Sequence, residues 1–246
     1  NAGHRLATAS ATNHGDIGRG AVDLSVQTAA STSTGARGTA SFAAGQNTTA
    51  SGNYSTAFGF NTEATTSYAT AFGDRTQATA SFATAWGRAT EATATYATAW
   101  GFTTDATAQY ATAWGRSSAA SGTHSTAFGN ETEATASFTT AFGDQTKATA
   151  QYATAWGRNT EATGLYATTW GQSTIASASY STAFGRETSA ESYGQTTIGT
   201  YNTTQTGDAT NFVAGDRLLV VGNGANAINR SDALVILKDG TTTLNG

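Results

Sequence analysis

The chain has 246 residues, a net charge of −4 at pH 7, and only 11% charged residues. No basic patch points to nucleic acid as a partner, and the absence of cysteine excludes disulfides and thiolate metal sites. No apolar run of about 20 residues is present to cross a membrane as a helix, so any membrane anchor is expected outside this segment. Methionine and proline are also absent, and a chain opening at Asn1 without methionine reads as a processed product or an excised fragment.

Residues 1–40 are rich in Ala, Ser, Thr and Gly. Residues 21–27 alternate apolar and polar types as a strand does, and the Gly-Asp-Ile-Gly-Arg-Gly run at 15–20 reads as turn and loop. The region is expected to be an N-terminal cap that covers the open edge of the structure following it.

From residue 41 to 199 one pattern governs. Glycine recurs at 45, 59, 73, 87, 101, 115, 129, 143, 157, 171, 185 and 199, an unbroken spacing of 14. A short fixed period is the mark of a solenoid in which each period forms one coil stacked on the next. Numbering each coil from its glycine as zero, position −1 holds Phe58, Phe72, Trp86, Trp100, Trp114, Phe128, Phe142, Trp156, Trp170 and Phe184. Position −5 holds Tyr54, Tyr68, Phe82, Tyr96, Tyr110, His124, Phe138, Tyr152, Tyr166 and Tyr180. Position −3 is threonine in every coil from Thr56 to Thr196, while −4 and −2 are nearly all Ala, Ser or Thr.

Because strand side chains alternate in direction, a strand through these positions puts −5, −3 and −1 on one face and the small residues with the glycine on the other. The second half of the coil places Thr, Ala and Ala at +3, +5 and +7, with polar residues at +4 and +6. Two short strands per coil are expected, with turns near +1/+2 and −6. The fold class is therefore all-β: two parallel sheets so close that only Ala, Ser, Thr and Gly fit between them. The aromatic face then points outward, and a stripe of about twenty rings exceeds what a monomer normally exposes. The twenty −1 and −5 residues are expected to form a subunit interface within a closed cyclic assembly around a fibre axis. A longer repeat lies over the short one: residues 71–84 and 141–154, a shift of 70, agree at 10 of 14 positions. This suggests duplication of a five-coil block.

Residues 200–246 change character. Residues 217–221 and 233–237 read as apolar strands, and Lys238-Asp239-Gly240-Thr241 reads as a hairpin turn. This segment is expected to be a β-rich trimerising collar that leads to a stalk, chaperone or anchor.

Ser55-Thr56-Ala57-Phe58-Gly59, Ser125-Thr126-Ala127-Phe128-Gly129 and Ser181-Thr182-Ala183-Phe184-Gly185 resemble the S-x-A-x-G repeat of the YadA-like head. That is the head domain of trimeric autotransporter adhesins, also found in some phage tail-fibre proteins. The resemblance covers about residues 41–200. It implies a homotrimeric, left-handed parallel β-roll with its inner sheets facing a threefold axis. The family usually has Val or Ile where this chain has Thr and Trp or Phe, which implies a bulkier interface.

No chemistry-bearing motif stands against that reading. His124 takes an aromatic-column position, where three copies in a trimer would offer a metal site, or simply a ring stacked in place of tyrosine. His4 and His14 have no neighbouring ligand cluster, and Gly222-Asn223-Gly224 lacks the lysine and helix of a phosphate loop. Glu63, Glu91, Asp105, Glu133 and Glu161 recur at +4 because the coil recurs, on a flat solvated face. Arg88, Arg116, Arg158 and Arg186 share the +1 column with Asp74 and Asp144. The Asn-x-Ser/Thr sequons at Asn47, Asn53, Asn130, Asn202 and Asn229 are those a Thr-rich chain produces by chance. No cofactor, metal or catalytic residue is assigned.

The expected function is that of a non-enzymatic adhesin head on a bacterial surface, outer-membrane anchored, binding host matrix, cells or a glycan receptor. The alternatives are a receptor-binding tail-fibre segment of a phage or injection machine, a passive spacer, and an ice-binding solenoid with ordered threonine ranks. The sequence names no ligand.

Overall fold

The computed structural model describes residues 3–6 and 13–245, so residues 1–2 and 7–12 of the expected cap lie outside the described residues. The chain divides into two compact units, 1–124 and 125–246. Both are β-solenoids of parallel 14-residue coils. No helix among the described residues is long and apolar enough to cross a membrane.

In the first unit the Thr84–Arg88 strand pairs in parallel with Thr70–Asp74 and Thr98–Phe102, glycine opposite glycine. The two-residue strand Glu91–Ala92 pairs likewise with Gln77–Ala78 and Asp105–Ala106. The second unit repeats the arrangement. Thr154–Arg158 lies between Thr140–Asp144 and Thr168–Gln172, and Glu161–Ala162 between Lys147–Ala148 and Ile175–Ala176. Each coil thus contributes one strand to each of two sheets. Only four side chains per coil enter the space between: in the coil of Gly87 these are Ala83, Ala85, Thr90 and Ala92, all 0% exposed.

The strand boundaries differ from the sequence expectation. The long strand runs from −3 to +1, and the short one covers only +4 and +5. The −5 aromatics are not strand residues: their φ angles lie between 57° and 61°, in the left-handed region. The +2 residues, from Asn61 to Glu187, show φ between 51° and 55° at the opposite corner. The reason is visible in the backbone bonds. The N–H of Tyr96 donates to the Ser81 carbonyl of the preceding coil (3.1 Å), whereas that of Thr98 donates to the Ala111 carbonyl of the following coil (2.9 Å). At the other corner Ala89 donates back to Asp74 (2.8 Å) and Glu91 donates forward to Thr104 (2.9 Å). A left-handed residue reverses the peptide, so the corner stays hydrogen-bonded to both neighbouring coils, as buried backbone groups require. Position +7, expected to end the second strand, belongs to this turn: Ala97 N–H donates to the Ala94 carbonyl (3.0 Å).

The column glycine is required by a close approach. Gly87 has φ +130°, and a Cβ there would sit 2.0 Å from the carbonyl oxygen of Gly101 in the next coil. In the second unit a Cβ on Gly157 would meet the Gly171 carbonyl oxygen at 1.9 Å.

The N-terminal segment stacks as longer coils. Val22–Val26 pairs in parallel with Phe42–Gln46, Val22 opposite Phe42, and His4–Arg5 pairs with Val22 and Asp23. Asp23 falls opposite Ala43 and is 0% exposed. Arg5 Nε donates to its carboxylate at 3.1 Å and the Ser25 hydroxyl at 2.6 Å.

At the C-terminal end of the second unit, Arg217–Asn223 takes the place of the next long strand, with Gly222 opposite Gly199. Asp232–Leu237 and Thr242–Leu244 then add antiparallel, joined by a turn in which Gly240 has φ +90°. The short-strand sheet stops at Ser189. There the Asn202 amide replaces a further strand: Ser189 N–H donates to Asn202 Oδ1 (2.8 Å), and Asn202 Nδ2 donates to the Ser189 carbonyl (3.1 Å).

Two outcomes follow from this packing. Gly87→Ala should cost about 3 kcal/mol or more, from backbone strain plus displacement of the next coil. Gly20→Ala, at φ +68° with nothing within 4 Å, should cost only about 1 kcal/mol. Equal losses in denaturant melts would refute the close-approach account. The interior hydroxyls of Thr48, Thr62, Thr76, Thr90 and Thr104 in the first unit are buried with no hydrogen-bond partner among the described residues. Thr90→Val should therefore be neutral or stabilising within about 1 kcal/mol. A loss above about 2 kcal/mol would show that the hydroxyl is bonded.

Candidate interaction face

The −1 rings stand on the outer side of the long strand and the −5 rings at the corner before it, with the −3 threonines, half-buried except for the exposed Thr140 and Thr168, between. The two predicted columns exist, but they occupy a strand and a corner rather than one strand face. In the first unit the corner column runs Tyr54, Tyr68, Phe82, Tyr96, Tyr110 and His124, with ring centroids 4.7–5.1 Å apart and planes within 19° of parallel. That spacing is the distance between neighbouring strands, so the backbone ladder sets it. On the strand, Phe58 stacks on Phe72, and Trp86, Trp100 and Trp114 form a triplet at 5.1 and 4.7 Å, tilted by 8° and 2°. The step from Phe72 to Trp86 breaks the parallel order, at 54°.

The second unit has the same build. Phe138, Tyr152, Tyr166 and Tyr180 stack at the corner within 13° of parallel, and Phe128 on Phe142 and Trp156 on Trp170 stack on the strand. The Trp170–Phe184 contact is edge-on at 74°. His124 is thus a stacked member of the tyrosine column, 4.7 Å from Tyr110. No group of three or more His, Cys, Asp or Glu among the described residues is placed to hold a metal.

Stacking does not hide these rings. The Tyr, Phe and Trp members other than Phe128 are 36–54% exposed. At roughly 150–250 Å² per ring the open aromatic area is on the order of 800 Å² in each unit, above the 300–600 Å² of a typical largest monomer patch. It matches the ~800 Å² that one partner gives to a standard interface. The corner rings also carry a cost. A left-handed backbone disfavours a bulky residue by about 1–2 kcal/mol, and a stacked pair returns about 0.5–1.5 kcal/mol. The columns roughly break even until something covers them. Each ring covers its neighbour's face, so the surface offered outward is largely ring edges.

The solvated +4 side is polar and shallow, and Lys147 pairs there with Glu133 at 3.5 Å in the second unit. At the +1 ends of the long strands Arg88 pairs with Asp74 at 3.3 Å in the first unit and Arg158 with Asp144 at 3.8 Å in the second. All are exposed cross-coil pairs worth about 0–1 kcal/mol each. Burial raises the Asp105 carboxyl above the usual range. Backbone N–H groups of Thr210 and Asn211 hold Asp208 down to about 2, which makes it the cap of an exposed turn. A groove of about 380 Å³ between Glu131, Glu133, Gln145, Lys147, Asn159 and Glu161 follows the coil repeat.

The sequence reading missed the buried ion pairs Arg5 with Asp23 (3.1 Å), Arg217 with Asp232 (3.2 Å) and Lys238 with Asp216 (3.7 Å). It also missed the role of Asn202, which is 0% exposed and closed to modification.

Four stretches, residues 36–62, 106–132, 134–160 and 162–188, match the family model of the YadA head domain repeat, which describes two copies of the repeat. These stretches are similar to YadA head domain repeats. No curated protein sequence matches the chain. In the matched stretches the Ser/Ala-x-Ala core and the glycine are explained by the packing above.

The stacked indoles give a spectroscopic test. Trp100→Phe interrupts the Trp86–Trp100–Trp114 triplet, and the near-UV circular dichroism of the indoles should fall by much more than the one-fifth that an isolated tryptophan among five would contribute. A drop of only one-fifth would contradict the stack.

Proposed function

We propose that the chain is the head segment of a non-enzymatic homotrimeric fibre, displayed outside a bacterial cell, that attaches it to host matrix, cells or surfaces. The observation that carries this reading is the pair of aromatic columns. Their open area equals a protein interface, and their stacking alone does not offset the corner strain. Three copies around one axis would bring the −3 and −1 rows together and leave the corner rings against the neighbouring copy. All twenty −1 and −5 residues are then interface residues. The YadA head repeat implies an adhesin-type head, which supports the same arrangement.

The outer +4/+6 side stays free in such an assembly and repeats its polar pattern coil after coil. A surface of this kind binds by many weak contacts whose avidity exceeds any single one. Among the described residues no concave site gathers a nucleophile, base and oxyanion donors, and a repeated polar surface suits attachment.

Light scattering should give three times the chain mass, and the tryptophans should resist iodide quenching. Trp100→Ala should cost about 3 kcal/mol or more per chain, whereas Glu91→Ala should stay within about 0.5 kcal/mol. A folded single chain with quenchable tryptophans would overturn the assembly. Retention of the purified protein on collagen, fibronectin, cells or glycans tests attachment. A trimer that binds none of them would make the segment a spacer.

A further inference from the structure

The outward row of the second unit does not end with its last ring. By strand register the −1 column continues from Phe184 to Ile198, then to Val221, Leu234 and Leu244. The neighbouring row passes from Thr196 to Leu219, Ile236 and Thr242. Neither row contains a charge. Ile198 is 38% and Leu244 78% exposed, and Val221, Leu234, Leu219 and Ile236 are half-buried. The opposite face of the same strands has another character. Val220, at 0% exposure, continues the interior, and Val235 and Leu237 line a groove of about 500 Å³ with Arg217 and Asp232.

We infer that the row Ile198–Val221–Leu234–Leu244 is a contact between copies of this chain, so that the C-terminal sheet clamps the assembly through aliphatic side chains. The inference rests on the trimer reading above and goes beyond the residues matched by the head repeat, which end at 188. The occupant follows from continuity. The row lies on the same side of the same sheet, in line with the aromatic column. Where copies close over that column, the space in front of the continuing row is taken by the same copies. Around a symmetry axis the row meets itself, and a row of uncharged aliphatic residues is self-complementary.

The chain has no cysteine, so single cysteines report proximity without background. In the full chain, Leu234→Cys should give covalent pairs under mild oxidation, whereas Val235→Cys, on the other face, should remain single. Leu234→Glu should raise at least tenfold the concentration at which the assembly dissociates. If the unaltered chain is a trimer but Leu234→Cys stays single and Leu234→Glu dissociates as the parent does, the clamp is wrong and the trimer reading stands. If the unaltered chain has the mass of one chain, both fall together.

Discussion

The structure depends on how closely one coil approaches the next. At the glycine column the backbones come so near that an added methyl group would stand 1.8–2.0 Å from a carbonyl oxygen along most of each stack. That contact fixes the period, because only a residue without a side chain recurs there. It also thins the interior to Ala, Ser and Thr, since two strands linked by such tight corners leave no room for larger groups. A core of this kind buries few methyl groups per coil, each worth about 0.8 kcal/mol. The hydrophobic payload that a globular domain places inside must therefore stand outside, as rings.

The outside location explains the otherwise odd placement of bulky residues at left-handed corners. Asn or Gly would hold those corners with less strain, yet Tyr and Phe occupy nearly all of them. A ring at a corner gains from stacking only as much as the backbone loses. It becomes a net gain when a neighbour covers it. The corner aromatics and the strand aromatics are thus two parts of one surface, which would gain stability wherever a partner covers it.

The 14-residue period, the small interior, the outward columns and the apolar C-terminal strands were all legible in the sequence, because each is written in residue size. The corners were not. Position +2 holds Asn, Arg, Ala, Thr, Ser, Glu and Gln in successive coils, and of these types only Asn favours a φ near +52°. The conformation is imposed by hydrogen bonds to the coils on both sides. Position −5 misled for the same reason: Tyr and Phe favour strands, and the tertiary ladder overrode that preference. Asp23 reads as the polar member of an alternating strand, yet its register against Ala43 puts it inside, where Arg5 reaches it. A partner so distant in sequence leaves no local signal.

A repeat this regular states how to continue but not where to stop. Any coil would pair with any other, since backbone and core are nearly the same in each, and a one-coil slip loses only surface contacts. The information that ends the stack lies in residues that break the pattern. At the N-terminal end of the first unit a buried carboxylate, Asp23, demands its arginine. At the C-terminal end of the second, Asn202 supplies the donor and acceptor of a missing strand, and Arg217 binds Asp232 and the Thr203 carbonyl. Buried ion pairs add little to stability compared with apolar packing, but removing one partner is costly. They therefore act as register marks: a slipped stack would leave a charge or an amide unpaired inside an apolar layer, and that penalty, rather than any gain in contacts, selects one alignment among many near-equal ones.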